Sequence, residues 1–318
     1  MPRRRIVDYR LLLKVSKLYY EQRLTQQEIS ERLILSRPKV SRLLQQAEDV
    51  GVVKINIIPQ PGIYTELEDA LEAKYGLLEA VVVGVSEPSS QLAVSREVGA
   101  AAADYFVRSI SDPSIIGISW GTTLRAMVDA MPVLDCPRSH VLQLNGGLGL
   151  PESEAHATYI LRRLVSQTNS KLSILPVPGI VDNTKIKDVF ISDSHVQDVF
   201  RRFKEMNVAY VGIGAPTLDA IVMKDGSIIT NAELDELVRL GAVGDICLRY
   251  FDIDGKPIVS DVDERVMGIS LDDLKQVERV VGVTGGPNKY RAIHAALAGK
   301  LVNVIITDHV SAQNVLNV

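Results

Sequence analysis

At 318 residues the chain can hold two domains with a core each, and 46% apolar with 5% aromatic side chains is the make-up of an ordinary α/β protein. No apolar run approaches the roughly 20 residues of a membrane span, so no membrane partner is expected, and the basic start MPRRRIVDYR leads into no signal-peptide core. Cys136 and Cys247 stand far apart, without a C-x-x-C pattern or clustered histidines, which argues against a disulfide framework or a zinc site and points to a reducing cytoplasm. Net charge is −4, yet residues 1–58 hold 12 Lys and Arg against 6 Asp and Glu. That end is therefore +6 and the remainder, with 23 against 33, is −10. A basic head on an acidic body suits a phosphate-gripping module joined to a sensing domain.

Residues 6–22 carry Leu11, Leu12, Val15, Leu18 and Tyr19 at helical spacing and predict a first helix. The stretch from Leu24 to Ile55 then reads as helix, turn, helix and strand, the layout of a winged helix-turn-helix. Thr25 with Glu28 three residues on is a capping box, and Ile29 and Leu33 share one face. Ser36 can cap the second helix, with Pro38 in its first turn, where a missing N–H costs nothing. Val40, Leu43, Leu44 and Ala47 form its apolar stripe. Ser36, Arg37, Lys39, Ser41 and Arg42 are left on the outer face, with Thr25 and Gln26 opening the preceding helix as further DNA contacts. The helix stops at Gly51, and VVKINI alternates as the strand of a wing should.

Pro59, Pro61 and Gly62 mark a boundary, followed by a helix from Tyr64 to Tyr75 that is either a linker or a dimer contact. The expected division is 1–58 for the DNA-binding domain, 59–78 for the linker helix and 79–318 for a ligand-binding and oligomerisation domain. From Glu79 short β-branched runs alternate with amphipathic helices. Strands are predicted at 81–84, 115–119, 140–144, 208–214, 245–251, 280–284 and 302–307. Helices are predicted at 94–108, 122–131, 154–167, 195–205, 232–240 and 289–297. This alternation predicts a mostly parallel, Rossmann-like sheet covered on both faces, with ligands at the carboxyl ends of the strands.

Three glycine turns follow strands. In GISWGTTL, Gly121, Thr122 and Thr123 lead from strand to helix, where free N–H groups, two hydroxyls and the helix dipole make an anion site, unless Thr122 merely caps the helix. In VTGGPNKYRAIHAAL, Gly285 and Gly286 let backbone approach closely. Lys289 in the first helical turn opposes the dipole unless an anion sits between them; otherwise it is plain surface charge. In QLNGGLG, Asn145 could bond sugar hydroxyls, and His156 lies on the next helix. GIGAP is half a dinucleotide fingerprint and weak as such. Asp245 is a candidate for ligand hydroxyls, whereas Asp254-Gly255 reads as a hairpin turn. No catalytic triad is legible, and no cofactor or metal site is expected.

These motifs, taken in order, resemble the SorC-type sugar-binding transcriptional regulators of bacteria over nearly the whole chain: LTQQEISERLILSRPKVSRLLQQAEDVGVV, GISWGTTL, QLNGG, AVGDICLRYFDIDG and GGPNKYRAIHAALAGKLVNVIITD. The resemblance implies a C-terminal domain related to ribose-5-phosphate isomerase and glucosamine-6-phosphate deaminase. It also implies a phosphorylated sugar or related metabolite as effector, and a homodimer or homotetramer on operator DNA. It assigns Gly121, Thr122, Thr123 and Lys289 to the phosphate, and Asn145, His156 and Asp245 to the sugar body. The expected function is a non-enzymatic regulator of carbohydrate metabolism whose operator binding is set by that effector. The alternative is a sugar-phosphate isomerase or deaminase carrying an accessory DNA-binding domain.

Overall fold

The computed structural model describes residues 8–55, 63–147, 151–217 and 228–318, with the backbone alone over 151–156. The chain divides into two compact units, Met1–Pro59 and Gln60–Val318. Among the described residues no helix is long and apolar enough to cross a membrane.

In the first unit Asp8 caps α1 (Tyr9–Ser16), which runs on into one wider π turn, Lys17–Glu21. The capping box of α2 (Gln26–Leu33) is complete: Thr25 N–H donates to Glu28 Oε2 at 2.8 Å, and Glu28 N–H donates to Thr25 Oγ1 at 3.3 Å. α3 (Arg37–Asp49) follows after a short turn. Val15, Leu18, Ile29, Val40 and Leu44 close the core between these helices. Ser36 holds the N-cap position of α3 without a side-chain cap bond, so Pro38 is the local device that starts this helix.

The expected wing strand does not form as far as Ile55; Asn56 and Ile57 lie outside the described residues. A strand spends its N–H groups on a ladder partner, whereas Val53 N–H turns back to the Ala47 carbonyl at 3.0 Å.

The second unit runs α4 (Thr65–Tyr75), β1 (Glu79–Val83), α5 (Gln91–Ser109), β2 (Ile115–Ile118), α6 (Thr122–Ala130), β3 (His140–Gln143), α7 (Pro151–Thr168) and β4 (Lys171–Ser173). It continues with α8 (Thr184–Ser192), α9 (Ser194–Phe203), β5 (Val208–Val211), α10 (Asn231–Arg239), β6 (Gly244–Ile246), β7 (Arg249–Phe251) and α11 (Asp261–Arg265). The last elements are α12 (Leu271–Lys275), β8 (Arg279–Val283), α13 (Tyr290–Ala298), β9 (Val304–Asp308) and α14 (His309–Leu316).

Seven strands pair in parallel in the order β1-β9-β8-β5-β2-β3-β4. Strand β5 shows why. Val208 and Tyr210 enter the core that α5, α6 and α7 build on one face, and Ala209 and Val211 enter the core of α4, α9, α13 and α14 on the other. A strand apolar on both faces must be covered on both, as parallel sheets are. From β2 the chain winds outward to β3 and β4, and from β5 it winds the other way to β8 and β9. The reversal leaves a crevice at the carboxyl ends of β2 and β5, the usual ligand position in such sheets.

Helices α8, α11, α12 and α14 add to those expected, and three further elements depart from expectation. The helix expected as a linker, α4, is a layer of the second unit, with Leu71 in its core. Glu68 and Glu72 of α4 accept the outward N–H groups of Val82 and Ala80 at 2.9 and 2.8 Å, satisfying the edge strand β1. The run 245–251 is not one strand but the antiparallel hairpin β6-β7, apart from the main sheet. Its two turn residues, Cys247 and Leu248, take φ of 55° and 67°, the backbone of a type I′ turn without the usual Asn-Gly. β4 is too short and polar to have been read.

Candidate ligand cavity and nucleic-acid interface

A cavity of about 380 Å³ opens where β2, β5 and β8 end, within the size range of small-molecule sites. Of the residues singled out in sequence, Gly121, Thr122, Thr123, Asp245 and Lys289 line it. Gly121 is the N-cap of α6 with φ 149° and ψ 159°, a region open in practice only to glycine. This corner turns the chain so that Thr122 and Thr123, in the first turn of α6, line the cavity. Lys289 is the N-cap of α13 at the opposite corner.

Asp245 is held by the hairpin. Its backbone exchanges hydrogen bonds with Gly214 at 2.9 and 3.2 Å, which docks β6 on the end of β5. Burial pushes the Asp245 carboxyl up to about 6, against the Leu248 N–H and the Lys289 charge, which pull it down. Beside it the Cys247 thiol is pushed up to about 12 by burial and by Asp245, so it is no nucleophile at neutral pH.

The second glycine turn is braced from within. Gly286 N–H donates to Asp308 Oδ2 at 2.9 Å and Ser311 Oγ at 3.1 Å. The Gly285 carbonyl accepts from Gln91 Nε2 at 3.2 Å. This corner therefore presents Asn288 and Lys289 to the cavity rather than bare glycine backbone.

Asn145 is not brought to the cavity. It is 1% exposed, pairs by backbone with Gly268, and donates from Nδ2 to the Gly146 carbonyl at 3.2 Å. The glycine after it serves close packing: a Cβ on Gly146 would sit 2.4 Å from the Val177 carbonyl oxygen. His156 lies on α7, but its side chain is outside the described residues.

In the first unit Ser36, Arg37, Lys39, Ser41 and Arg42 are all exposed on the amino-terminal half of α3. Thr25 is exposed and Gln26 half-buried at the start of α2. Arg42 Nε donates to the Pro38 carbonyl at 3.2 Å, which lays the side chain along the helix. The apolar side of α3 is spent on the core, so this basic and hydroxyl-bearing side is what the unit offers to a polyanion.

Residues 62–317 match the family described as "Putative sugar-binding domain", and residues 17–54 match "Winged helix-turn-helix DNA-binding". The chain is 33% identical over 307 residues to the deoxyribonucleoside regulator of Bacillus subtilis (strain 168), covering 96% of this chain and 97% of that one. It is 30% identical over 318 residues to the sorbitol operon regulator of Klebsiella pneumoniae, covering 97% and 98%. The crystal structure of full-length SorC, the sorbitol operon regulator of that species, gives a TM-score of 0.74 at 29% identity over 97% of this chain and 99% of that one. The chain belongs to the SorC-type family of sugar-binding transcriptional regulators.

In this SorC-type regulator several cavity residues went unread in the sequence. Trp120 and Asn288 sit inside the two quoted glycine motifs and could have been named with them. GIGAP, set aside as a poor dinucleotide fingerprint, lines the cavity with Gly212, Ile213, Gly214 and Ala215. Ser119 follows β2 and accepts Gly212 N–H on its hydroxyl at 3.1 Å. Gln91 opens α5, about thirty residues before the first corner, and no local signal connects it to the site.

Proposed function

We propose that the second unit binds a phosphorylated sugar, or a metabolite of the same charge and size, and that its occupancy sets the affinity of the first unit for operator DNA. One observation supports this above others: Lys289 and the amino end of α6 line the same cavity. A lysine at a helix N-terminus works against the dipole, and an anion seated between Lys289 and α6 would relieve that conflict. Asp245, Ser89, Ser119 and Asn288 suit the hydroxyls of a sugar body. That the named relatives are a deoxyribonucleoside regulator and a sorbitol operon regulator agrees with a carbohydrate effector.

A single recognition helix reads few bases, so a homodimer or homotetramer would hold two half-sites one helical turn apart. A ligand can alter DNA affinity only by favouring one arrangement of the assembly, typically by about 1–3 kcal/mol, or roughly 5- to 150-fold.

The test is operator binding titrated with a panel of phosphorylated sugars and their dephosphorylated counterparts. A phosphorylated compound should shift operator affinity and its unphosphorylated form should not. Lys289→Ala should still bind operator and lose the response. A normal response in that variant places the effector elsewhere. Among the described residues that line the cavity, Asp245, raised to about 6, is the group suited to proton transfer in an isomerase or deaminase. Turnover of any compound in the panel would establish that second reading.

A further inference from the structure

The two corners of the cavity are joined by one chain of hydrogen bonds, and chemistry fixes the direction of its Gln91 links. Gln91 and Ser95 lie one turn apart on α5, on the same side of the helix. Gln91 Nε2 lies 3.2 Å from the Gly285 carbonyl and 3.2 Å from Ser95 Oγ. A carbonyl only accepts, so the amide nitrogen, not its oxygen, must face that way. Ser95 Oγ therefore accepts from Gln91, and its own proton is left for its other neighbours. These are Thr123 Oγ1 at 3.3 Å and Thr122 Oγ1 at 3.4 Å. Ser95 is 3% and Thr123 4% exposed, so bulk water does not compete for these groups.

We propose that Gln91 is a positioning residue that points a threonine hydroxyl proton into the cavity. Gln91 donates to Ser95, and Ser95 donates to a threonine of the Thr122-Thr123 pair. That threonine, having accepted, turns its proton toward whatever accepts on the cavity side. An anion is an acceptor only, so the relay presents it with a donor already oriented, and no hydroxyl has to be turned on binding. The same amide holds the Gly285 carbonyl, which ties the Lys289 corner to the α6 corner. This rests on the reading that the cavity takes an anion.

Inorganic phosphate is the probe, titrated against the full-length protein with thermal unfolding and calorimetry as readouts. Gln91→Met keeps length and packing but cannot donate. It should lower the melting temperature without phosphate, because the buried Gly285 carbonyl loses its donor, and weaken phosphate binding to the folded protein, read by calorimetry, roughly ten-fold, which corresponds to about 1.4 kcal/mol. Gln91→Glu, an acceptor when ionised, reverses the relay and should weaken binding further. Thr123→Val or Thr122→Val should cost less in the Gln91→Met background than in the wild type, because one of these threonines acts with Gln91 through one chain. If Lys289→Ala loses phosphate while Gln91→Met binds as the wild type does, the relay is wrong and the anion site stands. Losses from Gln91→Met that are additive with Thr123→Val and with Thr122→Val alike overturn the relay in the same way. If the wild type itself shows no response to phosphate, the anion site falls and the relay with it.

Discussion

Gly286 donates its backbone N–H to the carboxylate of Asp308 at 2.9 Å, across the gap between β8 and the start of α14. Asp308 is 1% exposed and also accepts from Ser311, from N–H at 2.9 Å and from Oγ at 2.5 Å, so one side chain caps α14 and fixes the Lys289 corner. Asp308→Ala would leave the Ser311 N–H buried without an acceptor and the Gly286 N–H with Ser311 Oγ alone. The expected loss is on the order of 3 kcal/mol. Urea unfolding measures it, and a loss under about 1 kcal/mol would show that these donors find other partners.

Asp245 should give stability a pH dependence of known sign. Its folded-state value of about 6 lies above the ordinary 3.8, so the folded protein holds this proton more tightly than the unfolded chain. Its contribution is fully present below about 3.8 and is lost as pH rises through about 6. Relative to Asp245→Asn, which carries no proton to lose, the wild type should become progressively less stable over that window. Parallel stability curves for the two proteins would refute the assignment.

Gly121→Ala isolates a backbone effect. No atom lies within 4 Å of the added Cβ, so packing is not at issue, and the whole cost comes from φ 149°. A loss of about 1–3 kcal/mol is expected, with weaker anion binding because the amino end of α6 is re-aimed. Chemical denaturation and a phosphate titration report the two effects separately.

On the DNA side, Arg42→Ala should remove one phosphate contact. Operator affinity should fall, and the slope of log K against log salt should become shallower by about 0.9. A fall in affinity at unchanged slope would mean that Arg42 reads a base or packs instead, and no fall would turn this face of α3 away from the DNA.

The helix-turn-helix was legible because its determinants are local. Thr25 and Glu28 close a box within one turn, Pro38 starts a helix, and Ile29, Val40 and Leu44 repeat with the period that buries them. The parallel sheet was legible for a similar reason, since runs such as VAYV are apolar on both sides. The wing strand and the 245–251 strand misled because pairing is not local. Val53 N–H goes back to α3, and Cys247 and Leu248 turn without a turn sequence.

Residue order alone therefore determined the two modules, the placing of charge between them and the two strand-to-helix corners, because capping, periodicity and glycine placement act within a few residues. Which groups meet at the cavity was decided only by tertiary structure. Gln91 reaches Gly285 across 194 residues of chain, and Asp245 reaches Gly214 through a hairpin that the sequence does not announce. Asn145, beside a glycine pair that looked like a ligand turn, was taken into the interior by pairing with Gly268. Hydrogen bonds over such distances depend on how the sheet orders its strands, and that order is set by burying both of its faces at once.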